Sequence, residues 1–161
     1  MLHPEKLRNL MLLIAEHPAV KSLGMTKLWK LIYFVDAASL RETGASITGS
    51  EYVKYPFGPV PSRDEKTLKA MRKQRLVKTE QGLAGTFKQT FVEAMAKADK
   101  RVFSKEELAL IDAVCRGLGG KTATQLSSLS HQEPAWALAQ DLQKLDPELM
   151  FYGSEEDPEG L

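Results

Sequence analysis

Apolar residues recur at helical spacing from the start of the chain. Leu7, Leu10, Met11 and Ile14 form one stripe, the pattern of a helix that buries a single face. Pro4 suits a first turn and Pro18 stops the run, which predicts a helix from about Pro4 to His17. The next segment differs. Leu28, Leu31, Ile32 and Val35 lie on one flank and Trp29, Tyr33 and Leu40 on another. A helix from Thr26, read as its N-cap, to Thr43 is therefore apolar nearly all round and belongs at the centre of the fold. Gly44 is placed to close it in the left-handed conformation. Only the strip bearing Lys27, Lys30 and Arg41 interrupts its apolar surface. Asp36 falls between Ile32 and the Trp29, Tyr33, Leu40 flank, where a carboxylate is desolvated unless paired. With no second carboxylate, nucleophile or metal set at matching spacing, it reads as a structural acceptor rather than a general acid or base.

The period then changes. Glu51 to Tyr55 alternates as a short strand, with Tyr52 and Lys54 on one side and Glu51, Val53 and Tyr55 on the other. Pro56, Pro59 and Pro61 follow, each fixing φ and lacking an amide donor. The stretch from Tyr55 to Pro61 thus reads as a rigid elbow, neither helix nor central strand. Ser62 and Glu65 stand at capping-box spacing before a third helix over about residues 63–75, with Leu68 and Met71 inward. Leu76-Val77 and the run from Phe87 to Val92 flank Gly82 and Gly85, which predicts a hairpin. Ser104 with Glu107, and Thr122 with Gln125, repeat the capping-box spacing and open helices to about Arg116 and Leu129. Another helix starts near Pro134. These elements predict an α+β fold: a mainly helical single domain with a small antiparallel sheet packed against the central apolar helix.

Composition narrows the function classes. A chain of 161 residues with 43% hydrophobic content suits one domain with a real core. The single cysteine, Cys115, sits in an apolar helical pattern, so an intramolecular disulfide is excluded and a reducing, cytoplasmic location is expected. The start, Met1-Leu-His-Pro-Glu-Lys, lacks the pattern of an export signal, and the apolar patch from Leu10 to Ala15 is too short to cross a bilayer. The net charge of +1 divides into a basic stripe (Arg63, Lys66, Lys69, Arg72, Lys73, Arg75, Lys78) and an acidic end (Asp146, Glu148, Glu155, Glu156, Asp157, Glu159). With so even a balance the stripe reads first as a solvated face, leaving room for weak DNA binding. Residues 153–161 are expected to be a disordered acidic tail. His3, His17 and His131 are scattered, without metal-ligand spacing. His131 reads as a tether between helices, and Trp29 and Trp136 read as packing residues. No cofactor or small-molecule substrate is implied.

Four blocks carry a resemblance: Lys27-Leu-Trp-Lys-Leu-Ile-Tyr-Phe-Val-Asp36, Ile47-Thr-Gly-Ser-Glu-Tyr-Val53, Tyr55-Pro-Phe-Gly-Pro-Val60 and Ser130-His-Gln-Glu-Pro-Ala-Trp136. In this order they resemble the Panacea domain, the SocA-like antitoxin family. The resemblance implies a Panacea-like domain over about residues 1–152, with Trp29, Tyr33, Asp36, Gly58, Pro59, His131 and Trp136 in its motif positions. It also implies the antitoxin half of a bacterial or prophage toxin–antitoxin pair, which neutralises its cognate protein toxin by binding and has no chemistry of its own. On that reading Tyr52, Lys54, Tyr55 and Phe57, beside the rigid elbow, are the expected partner-binding residues, because aromatic anchors dominate interface energetics. The alternative is a winged-helix-like DNA-binding regulator, with the basic helix as recognition helix and the hairpin as wing. The strand and elbow between the second and third helices argue against it.

Overall fold

The computed structural model describes residues 1–153. The expected disordered tail lies, beyond Gly153, outside the described residues. Helix α1 (Pro4–Glu16) buries Leu7, Leu10, Met11 and Ile14 as its stripe requires. Helix α2 (Met25–Thr43) is the centre of the molecule, buried at every position from Lys27 to Ser39. Its N-cap is Gly24 and not Thr26. The start is set by tertiary pairing: Gly24 bridges Phe91 on a neighbouring strand, and a Cβ on Gly24 would strike the Gln89 side chain at 1.6 Å. At the other end Gly44 takes φ 85° and its amide donates to Leu40 O.

Strand β1 (Tyr52–Tyr55) pairs antiparallel with β2 (Gly58–Pro61), from Tyr52 opposite Pro61 to Tyr55 opposite Gly58. The expected elbow is thus the return strand of a hairpin whose apex is Pro56-Phe57. Prolines are tolerated because each strand of a two-stranded ribbon has an edge that needs no donor. The outer edge of β1 is occupied instead by residues 142–145: Lys54 N donates to Gln143 O, Leu142 N to Lys54 O and Leu145 N to Tyr52 O. Helix α3 (Asp64–Lys73) follows, with Leu68 and Met71 buried. The capping box expected from Ser62 and Glu65 does not form; the N-cap is Arg63, with no side-chain cap. Ser62 belongs to the hairpin, its amide donating to Glu51 O at 2.9 Å.

Strands β3 (Val77–Ala84) and β4 (Phe87–Ala94) form a second antiparallel pair, longer than its apolar runs suggest. Gly82 lies inside it, under the Phe91 ring, while Gly85 (φ 64°) makes the turn. Helices α4 (Lys105–Leu118) and α5 (Ala123–His131) both carry the expected reciprocal capping boxes. Helix α6 (Pro134–Ala137) is a single turn. The fold is α+β and mainly helical, with two separate two-stranded sheets among the described residues rather than one. Helices α1, α4 and α5 and the hairpins pack around α2. No helix of the described residues is long and apolar enough to cross a membrane.

Candidate functional site

The β1–β2 hairpin is held from both sides by the motif residues. Beneath it, Asp36 on α2 is fully buried. Its Oδ1 accepts from the amides of Ile47 and Thr48 at 3.0 and 2.9 Å. Its Oδ2 accepts from the Thr48 hydroxyl and, at 2.6 Å, from the Tyr52 hydroxyl. Burial pushes the Asp36 carboxyl up from its ordinary range, and the four donors oppose that shift. The carboxylate is therefore a structural acceptor that ties the loop after α2 and the first residue of β1 to the central helix. One expected partner-binding residue moves as a result. Tyr52 is 1% exposed, edge-on to Tyr33 at 5.3 Å, and its ring belongs to the core. Tyr33 in turn donates to Glu133, which also pairs with Arg41. Trp29, 4% exposed, is core as well.

Above, the apex is clasped by α5 and α6. Trp136 Nε1 donates to Tyr55 O at 3.0 Å, the His131 ring bonds the backbone of Pro56, and Ser127 Oγ donates to Phe57 O at 2.9 Å. His131 stacks on Trp136 with ring centroids 3.9 Å apart. The tether role expected for His131 is this one. Lys54 completes the layer: its Nζ lies 4.1 Å from the Trp136 ring centroid and donates to Ala139 O at 3.1 Å. That placement covers most of the side chain, which is 13% exposed, with the exposed Asp141 3.9 Å from its Nζ. Gly58 takes φ +134°, and a Cβ there would stand 2.7 Å from Ser130 Oγ and 3.1 Å from Lys30 Cε. Pro59 beside it is buried.

The clasp leaves apolar groups facing out. Tyr55 is 43% exposed and Phe57 69%. Leu138 and Leu142 join them at 71% and 63%, carried by the loop that bonds the edge of β1. Leu142 holds φ +61°, a conformation a bulky side chain rarely adopts. Sequence reasoning missed both leucines: α6 ends after one turn, so they lie on no helical or strand period. It also missed Ser127, whose part depends on the hairpin meeting α5.

The basic strip of α2 is not a solvated strip. Lys27 donates to Lys21 O and Gly119 O, and Arg41 to Met150 O and Tyr152 O. Lys30, 1% exposed, has no hydrogen-bond partner for its Nζ among the described residues, and neither has His131 Nε2. Burial pulls the Lys30 ammonium down to about 8. The same cause, with the charges of Lys30 and Lys54, lowers His131. Cys115 is buried and its thiol is pushed up to about 12, which suits packing rather than nucleophilic chemistry. On α3, Lys66, Lys69, Arg72 and Lys73 are exposed.

Residues 28–137 match the family model described as antitoxin SocA-like, Panacea domain, more than half of the chain. That span runs from the start of the central helix through the hairpin to Trp136, and so includes the whole clasp. No curated protein matches.

Proposed function

We propose that this chain, which belongs to the SocA-like antitoxin family with its Panacea domain, neutralises a cognate protein toxin by binding it directly, without catalysis. The family match carries this reading. The surface that best suits the task is the hairpin apex with Tyr55, Phe57, Leu138 and Leu142, an exposed apolar group beside partly covered Lys54. Three consecutive carbonyls at the apex are fixed by side chains of α5 and α6. A partner therefore gains contact area without having to order the loop, and the conformational cost of binding is low. Asp141, 3.9 Å from Lys54, supplies charge beside it, which governs encounter and selectivity more than affinity. Lys54 contributes through its contact with Trp136, and Tyr52 by holding the hairpin to Asp36.

The test is expression of the adjacent small open reading frame, alone and beside this chain. Toxicity alone, growth when both are present and a stable complex on copurification are expected. A harmless neighbour that does not copurify refutes the reading.

A further inference from the structure

Two buried basic atoms under the hairpin apex, Lys30 Nζ and His131 Nε2, have no hydrogen-bond partner among the described residues. Lys30 Nζ lies in the interior with no acceptor among the described residues, its Cε packed beneath Gly58 and beside Ser130. Ser130 Oγ is committed elsewhere, donating to Ser127 O at 2.9 Å. The adjacent His131 uses one ring nitrogen on Pro56 and leaves Nε2 buried and unbonded. Lys54 brings a second cation to the same ring. A buried cation without a counter-charge lowers stability, whereas an apolar side chain of the same length packs without that cost. A buried polar atom left without a partner calls for an explanation, and a group brought by a bound molecule supplies one.

We propose that Lys30 and His131 form a receptor for a carboxylate, supplied by an acidic side chain of the bound partner protein and entering beside the Pro56-Phe57 apex. The proposal rests on the antitoxin reading for the identity of the partner. A carboxylate oxygen accepts from the Lys30 ammonium, while the second oxygen accepts from His131 Nε2 once that atom has taken up a proton. Binding is thus coupled to proton uptake. The charged groups that face the ring, Lys30 and Lys54, both resist protonation of the free protein, and an arriving anion removes that resistance. Affinity for the partner therefore rises as pH falls through the histidine range. Gly58 brings the hairpin backbone close over this pair: a Cβ there would stand 2.7 Å from Ser130 Oγ and 3.1 Å from Lys30 Cε.

Two measurements test this. In the first, acetate is titrated into the full chain, with chloride as the ionic-strength control, while lysine 13Cε and histidine 15N resonances are followed. Acetate, and not chloride, should raise the Lys30 titration midpoint and shift His131 Nε2 towards its protonated position; no response at about 100 mM, a concentration at which even weak carboxylate binding registers, overturns the receptor. In the second, Lys30→Met is compared with the parent for melting temperature and for affinity towards the copurified neighbour-encoded protein. It should melt higher yet bind about thirtyfold more weakly or worse, as expected for removal of a buried charge partner. A Lys30→Met protein that melts lower, or that binds the partner as tightly as the parent, overturns the proposal and leaves the antitoxin reading standing. An acetate response in the absence of any toxic, copurifying neighbour overturns the antitoxin reading and the partner-borne carboxylate, and leaves a receptor for free carboxylates.

Discussion

Replacing Asp36 separates hydrogen bonding from charge at the centre of the fold. In Asp36→Ala the amides of Ile47 and Thr48, both 0% exposed, lose the acceptor they share. Each stranded buried donor costs about 1–3 kcal/mol. The two hydroxyls lose less, because Tyr52 also lies 3.3 Å from Ile32 O and Thr48 Oγ1 lies 2.8 Å from Ser50 Oγ. Removing a carboxylate that burial already disfavours returns part of the loss, which leaves a net destabilisation of about 3 kcal/mol. For a chain of this size that lowers the melting temperature by about 6–12 °C. Asp36→Asn keeps one oxygen for both amides, while its new amide donors meet hydroxyl oxygens that can accept as their hydrogens turn to Ile32 O and Ser50 Oγ. It should therefore lose less than about 1.5 kcal/mol. Asp36→Leu, which strands the same donors, should behave like the alanine variant. Urea and thermal unfolding of the three variants, read by circular dichroism, decide the matter. If Asn falls as far as Ala, the negative charge and not the acceptor geometry holds the hairpin. If all three melt like the parent, the hydrogen-bond argument fails altogether.

Other predictions follow from the same layer. Gly58→Ala, at φ +134° over Lys30 and Ser130, should cost about 1–3 kcal/mol by backbone strain before any clash is added, and a melting temperature equal to the parent's refutes both the strained backbone and the close approach. Tyr55→Ala and Phe57→Ala should leave melting unchanged, and at least one should weaken toxin binding by about 2 kcal/mol, the hot-spot threshold; full neutralisation by both places the interface elsewhere. Burial holds the Lys30 ammonium at about 8 in the folded chain against 10.5 in the unfolded one. Below pH 8 both states carry the proton and the folded state bears the burial cost. Between pH 8 and 10.5 the unfolded state binds more protons, so stability should rise with pH by about 3 kcal/mol from this group, and Lys30→Met should abolish that rise in denaturant titrations across the range. Lys69→Glu with Arg72→Glu on the exposed face of α3 should leave neutralisation intact; a tight complex of the parent with its own promoter DNA, lost in this variant, favours the regulator alternative.

What the sequence determined is mostly local. The capping boxes at Ser104 and Thr122 form as read because both partners lie within one turn. Helix α2 is central because its apolar residues leave only a narrow polar strip. Asp36 was legible as a structural acceptor because a carboxylate between apolar flanks needs pairing and no second carboxylate, nucleophile or metal set stands at matching spacing. The alternation of β1 was legible too, with Tyr52 and Lys54 on one side and Tyr55 on the other. Which side turned inward was not. That was decided by Asp36, 16 residues before Tyr52, and by the Trp136 ring, which covers Lys54 from the far end of the chain. The prolines of β2 concealed a strand, because local rules count missing donors and cannot see that a two-stranded ribbon leaves an edge free. Thr26 and Ser62 lost their expected capping roles to long-range pairing of Gly24 with Phe91 and of Ser62 with Glu51. Lys30 is the sharpest case. Its place among Lys27 and Arg41 marked a polar strip, and only the packing of the hairpin and α5 over that strip took the ammonium out of water, because burial is a property of what covers a residue and not of the residue itself.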